Sequence, residues 1–297
     1  MRRFHHLGYM LWGGLLPLFL ATVPLSSCSH DEAVTDNSSM LLPERQYPLQ
    51  LQIEIEPQSR IATKDAWTGD GTEYIAVRMA DGETGKYVIT ADQSAQPATD
   101  ADAFYWPTGD MYTVTAWYPY QTEQKTFDLS DQSAGNAELD FLYAKTQGHF
   151  NSTTKLRFKH QLARLEIKLA DTDNVFSADE LQNATITIYG EGKATRNADG
   201  TLEAATIHTD KITPYHNVEE NTWEAFVLPQ DMRNKTLLRI KVGGKILVYT
   251  PDTYEMGILT AGNVHAYTIS LNTQASTSGT MTVANNGYKV YPIDVQQ

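Results

Sequence analysis

The 297-residue chain carries 36 Asp and Glu against 23 Lys and Arg, a formal net charge of −13, and one cysteine. A single cysteine excludes an intramolecular disulfide, a cysteine-rich zinc site and an iron–sulfur site, and the acidic balance argues against nucleic-acid binding, which needs clustered Lys and Arg. A hydrophobic fraction of 41%, with 16 tyrosines and 5 tryptophans, describes a globular chain of about two domains' length with a bias toward strand.

Arg2 and Arg3 open the chain and an apolar run follows from Leu7 to Leu25, interrupted by Gly13, Gly14, Pro17 and Pro24. This is the layout of a secretory signal peptide over residues 1–27 and a poor spanning helix. The run stops at Leu25-Ser26-Ser27-Cys28, which resembles the bacterial lipobox. On that reading Cys28 becomes the first mature residue and carries acyl chains into outer-membrane lipid, more than the two signals stable anchoring needs. The alternative is an ordinary signal peptidase cut with Cys28 incidental. Processing removes Arg2 and Arg3, so Lys plus Arg falls from 23 to 21 against 36 acids, a net charge of −15. Ser29-His30-Asp31-Glu32 resembles the surface-export signals of Bacteroidetes lipoproteins, with a solvated linker as the other reading. Residues 28–45 are polar and read as a flexible tether.

From there the chain reads as strands. Leu49, Leu51, Ile53 and Ile55 alternate with Gln50, Gln52 and Glu54, the period of a half-buried strand. Tyr74–Met79 and Lys86–Thr90 flank Asp81-Gly82-Glu83-Thr84-Gly85, a hairpin signal. Alternation recurs over Tyr112–Tyr118, Phe141 and Tyr143, Leu156–His160, Arg164–Leu169, Thr185–Tyr189 and Thr201–His208. Leu237–Val242 and Lys245–Thr250 enclose Gly243-Gly244, a two-residue hairpin of primed geometry. Val264–Leu271 follows, then Thr280–Val283 and Tyr288–Val295. Short strands at regular spacing imply all-β architecture built of β-sandwiches, the break falling near His160–Gln161, with residues 46–160 and 161–297 on either side.

Several segments in order resemble the fimbrillin family of Bacteroidales, subunits of lipoprotein-derived pili. They are Ser59-Arg60 with Ala66-Trp67-Thr68-Gly69-Asp70; Tyr105-Trp106-Pro107; Val114–Tyr120; Asp140–Ala144; Leu156–Leu165; and Gly262–Ile269. The resemblance implies two tandem transthyretin-like β-sandwich domains, export as an outer-membrane lipoprotein displayed at the cell surface in fimbriae, and trypsin-like cleavage after an Arg or Lys past the first strand. Arg60 and Arg45 are the candidates. Loss of the strand bearing Leu49, Leu51, Ile53 and Ile55 opens an apolar groove and an unpaired sheet edge, which another strand can fill. The donor expected is a neighbour's C-terminal strand, with Tyr288, Val290, Tyr291, Ile293 and Val295; the alternative is that this tail completes its own sheet. The expected partners are other fimbrial subunits, membrane lipid through Cys28, a trypsin-like assembly protease, and host or bacterial surface ligands. Typical members carry a Trp-containing segment after the last long strand. Thr282–Gly287 has no Trp, which leaves stalk, anchor and tip open.

Enzyme chemistry finds little support. The histidines outside the signal are not spaced as zinc pairs, and there is neither a Gly-x-Ser-x-Gly elbow nor a phosphate-cradling glycine loop. Asp171-Thr172-Asp173-Asn174 lacks the glycine and distant glutamate of a calcium loop, and Asp100 with Asp102 are ordinary loop acids. No cofactor and no metal is expected. The competing function is a monomeric surface lipoprotein that binds glycans through exposed aromatics, for which Trp67, Tyr105 and Trp106 are the candidates.

Overall fold

The computed structural model describes residues 39–56, 66–135, 139–171, 174–205, 209–271, 279–285 and 289–295, the last two segments by their backbone path. Strands β1 (Leu51–Ile55), β2 (Asp70–Met79), β3 (Thr84–Thr90), β4 (Ser94–Pro97), β5 (Tyr112–Tyr118), β6 (Lys125–Asp128), β7 (Leu142–Gly148) and β8 (Thr154–His160) make up the N-terminal half. Seven of them close into a ring in the order β1-β4-β3-β2-β5-β7-β8. The closure is thin at two corners, where β1 meets β4 and β7 meets β8 through two register pairs each. The expected sandwich is thus stitched shut along its edges. Alternation sets the inside: β1, β3 and β8 bury every second side chain, and Ile53, Ile75, Tyr87, Ile89, Leu156 and Phe158 fill the core.

The C-terminal half holds β9 (Ala163–Asp171), α1 (Ala178–Gln182), β10 (Thr185–Glu191), β11 (Lys193–Arg196), β12 (Leu202–Ala204), β13 (Thr209–Ile212), β14 (Tyr215–Asn217), β15 (Thr222–Val227), β16 (Gln230–Asp231), β17 (Leu238–Val242), β18 (Lys245–Tyr249), α2 (Tyr254–Gly257), β19 (Ile258–Leu259), β20 (Val264–Leu271), β21 (Gly279–Asn285) and β22 (Lys289–Val295). One sheet runs β13-β10-β17-β18 and the other β14-β15-β9-β20-β21-β22. Their apolar sides share a second core of Leu165, Ile167, Ile188, Ile240, Leu247 and Ile269. Gly243 and Gly244 turn the β17–β18 hairpin at φ +53° and +76°, as a primed turn requires. Helix α1 starts at Ser177, whose hydroxyl accepts the Glu180 amide while the Glu180 carboxylate accepts the Ser177 amide.

A three-stranded sheet, β12-β11-β6, crosses the position of the expected break by pairing 125–128 with 193–196. Beneath it Leu129, Phe141, Leu162, Ala194, Phe226 and Leu228 form a third cluster. Arg196 is 1% exposed, donates to the Pro119 and Tyr118 carbonyls at 2.6 and 3.1 Å, and lies over the Phe141 and Phe127 rings. Burial lowers its pKa to about 10. Gln132 caps the open edge of β15, accepting from the Phe226 amide and donating to its carbonyl. That device hides a strand edge that water or another chain would otherwise reach. In the turn between β11 and β12, the Gly200 backbone lies against the buried Trp117 ring at φ +86°, where any Cβ would collide.

Candidate functional site

The N-terminal segment enters as an extended arm before it becomes β1. Gly109 N donates to Met40 O at 2.7 Å, Leu42 N to Pro107 O at 3.0 Å, Trp106 N to Tyr47 O at 2.9 Å, and Leu49 N to Phe104 O at 2.8 Å. Residues expected to belong to a flexible tether up to 45 are therefore paired from Met40 onward. The reason is backbone hydrogen bonding to residues 104–109 together with partial burial of Leu42 and Tyr47.

Strand β1 then fills the gap between β4 and β8. It runs parallel to β8 from Leu51↔Thr154 to Ile55↔Phe158, and antiparallel to β4 at Leu51↔Ala95 and Gln52↔Ser94. Leu49, Leu51, Ile53 and Ile55 are 2–9% exposed, while Gln50, Gln52 and Glu54 face water. Burying four aliphatic side chains contributes on the order of 6–12 kcal/mol, as an upper bound. On the wet face Glu54 pairs with Arg157 at 2.6 Å and Glu56 with Lys159 at 3.5 Å, all well exposed. Such pairs add little. The strand is held by its apolar side and by a parallel ladder, so its loss leaves two unpaired neighbours and uncovers Leu156, Phe158 and Ala95 opposite it.

Arg45 occupies an exposed turn at φ +57°, with its guanidinium 4.9 Å from the centre of the Tyr105 ring. It precedes β1, so a cut there leaves Leu49–Ile55 attached. Arg60 and Cys28 lie outside the described residues. At the far end β21 and β22 pair antiparallel from Gly279↔Val295 to Asn285↔Lys289, and β21 joins β20 at Thr268↔Thr282. Val290, Tyr291, Ile293 and Val295 thus belong to an edge strand of their own sheet; Tyr288 lies outside the described residues. Pro292 suits that edge, since it cannot donate to a second neighbour.

The three candidate ligand aromatics do not make one surface. Trp67 is 4% exposed and packs edge-on against Tyr118 and Phe158, each 5.3 Å away between ring centres. Trp106 is 1% exposed, against Tyr112. Both are core residues, which corrects the reading of them as stacking faces. Only Tyr105 of the three is partly exposed, and Arg45 covers it. Among the described residues no group of three His, Cys, Asp or Glu side chains is placed to hold a metal ion, and no helix is long and apolar enough to cross a membrane. Sequence reasoning missed the arm on residues 104–109; the paired Leu41-Leu42 before Pro43 was its only signal.

Comparison with known proteins follows the same lines. The structure is similar to that of a candidate cell adhesion protein from Bacteroides uniformis at a TM-score of 0.62, with 21% identity over 83% of this chain and 98% of that one. A candidate cell adhesion protein from Bacteroides ovatus matches at 0.57, with 17% identity over 84% and 99%. A candidate polysaccharide-binding protein from Bacteroides thetaiotaomicron matches at 0.51, with 11% identity over 84% and 98%. At these identities the likeness establishes the fold. No curated protein matches the chain. The fimbrillin-like family pattern matches residues 32–285. Spanning most of the sequence and both halves of the fold, that match means that the chain belongs to the fimbrillin-like family.

Proposed function

We propose that this chain is a subunit of surface fimbriae, exported as a lipoprotein through Cys28 and polymerised by strand exchange. A trypsin-like protease cuts after Arg60, the arm and β1 leave, and the C-terminal strand of another copy takes the place of β1. The observation that carries this reading is the placement of β1. It closes the ring between two strands, presents its whole apolar side inward, and belongs to a stretch that one cut past Ile55 frees. A replacement strand recovers both the ladder and the burial. The family match supports the fimbrial part of the proposal, and the edge position of β22 supports its availability as donor. Two domains, divided near His160–Gln161 and bridged by the β12-β11-β6 sheet, form the body of the subunit on this reading.

Deleting residues 280–297 tests the donor. With the assembly protease present, the full chain is expected to give a ladder of multimers and the truncated chain cleaved monomers only. Equal multimer ladders from both would reject the C-terminal donor.

A further inference from the structure

Residues 232–251 contain Arg233, Lys235, Arg239, Lys241 and Lys245 and no Asp or Glu, in a chain of net charge −13. Alternation along β17 and β18 sends Leu238, Ile240, Val242, Leu247 and Tyr249 into the core, so Arg239 and Lys241 stand exposed on the opposite face. Register extends that face across the sheet. Arg239 lies between Thr187 and Val248, Lys241 between Thr185 and Ile246, and Lys211 beside Tyr189. Adjacent strands are about 4.8 Å apart and alternate residues along a strand about 7 Å apart, so the three cations stand within roughly 20 Å. Arg233 is engaged by Asp231 and Lys235 by the Asp231 carbonyl, whereas Lys211, Arg239 and Lys241 have no ion pair among the described residues. Glu191 bounds the face at one end and Asp179 with Glu180 at the other. Arginine, tyrosine and an exposed Ile246 beside Lys241 make the composition of a protein interface.

The opposite charge gathers at one end of the N-terminal ring. Asp81 and Glu83 are exposed in the β2–β3 turn. The Asp102 carboxylate accepts the Lys86 amide at 2.8 Å, and its carbonyl lies against Gly85, which seats the Asp100–Asp102 turn beside that hairpin. Lys86 itself points over Tyr74 and Tyr120.

We propose that the basic outer face of β13-β10-β17-β18 docks the acidic β2–β3 end of a second copy. The two surfaces are different, so the contact is heterologous and repeats head to tail. Its role within a filament rests on the function proposed above; the contact itself needs no cleavage. In a strongly acidic chain it steers encounter and raises the rate at which subunits meet before any strand is exchanged.

Sedimentation equilibrium tests it on unprocessed protein expressed from residue 29, which keeps every described element. Self-association is expected at about 10 mM salt and a marked loss at about 150 mM, where the Debye length falls from ~30 to ~8 Å. Arg239→Glu with Lys241→Glu is expected to weaken it about tenfold or more, as is Asp81→Lys with Glu83→Lys, and the four changes combined to restore it. That recovery also shows that the variants fold. A monomer at both salt concentrations, or a four-change chain no better than either pair, would overturn the proposal. So would full self-association by the Arg239→Glu, Lys241→Glu chain, even if the parent chain bound an anionic polysaccharide through the same face. Removing residues 280–297 tells the two readings apart: it leaves this association intact, whereas strand exchange is lost with it.

Discussion

Arg196 shows what one buried cation does at the junction. Its two bonds to the Tyr118 and Pro119 carbonyls tie β11 to the end of β5, and Phe127 and Phe141 take its flat faces. Arg196→Met keeps the bulk and strands two carbonyls, and is expected to lower stability by about 3 kcal/mol in urea unfolding. Arg196→Lys does not rescue it, because a point charge cannot reach both acceptors and stack as well. His265 gives a second residue-scale outcome. Burial holds its pKa below the ordinary 6.5, and its Nε2 accepts the Thr260 amide, so the folded chain keeps it neutral. The unfolded chain takes up a proton below about 6.5. Stability from this residue is therefore complete above that pH and falls as pH drops through it. Urea unfolding from pH 8 to pH 5 measures the fall, and His265→Gln is expected to make it shallower. At this scale the sequence left burial undecided. Trp67 and Trp106 have the side chains of a sugar-stacking face, and only packing against Tyr118, Phe158 and Tyr112 makes them core.

At the scale of elements, strands with one wet face were legible, and β15, covered along its whole length on both faces, was not. The alternation of β1, β8 and β17 survives because one side meets water. All six residues of β15 are buried, since one face meets the C-terminal core and the other the junction cluster around Phe226. Its sequence loses its period for that reason. Short β4, β6 and β11 offered too few residues to show one, and Thr201–His208 yielded strand only at Leu202–Ala204 among the described residues. The hydrogen-bonded arm reads as tether because its partners lie some 60 residues later. That arm separates the two candidate cleavage positions. Cleavage after Arg45 leaves β1 attached and the ring closed, so the product is expected to unfold like the parent and stay monomeric. Cleavage after Arg60 makes β1 a separable peptide. Intact mass under native and denaturing conditions distinguishes them: only the second product loses, on denaturation, a fragment that carries Leu49–Ile55. Arg60→Gln is expected to abolish that loss and Arg45→Gln to leave it unchanged.

The whole molecule joins a ring that one strand closes to a sandwich whose last strand lies on an edge. Between them the β12-β11-β6 sheet and the Leu129–Phe226 cluster make a continuous junction. The acidic charge reads differently at this scale. It is unevenly distributed, with a basic sheet face in one half and an acidic turn in the other, the arrangement on which the proposed head-to-tail contact rests. The central claim is that β1 leaves when the subunit assembles. N-terminal sequencing and intact mass of the subunit taken from surface filaments measure this directly. The account predicts a chain that begins at Ile61 and lacks Leu49–Ile55. Filament subunits that begin at Cys28 and retain β1 would contradict it.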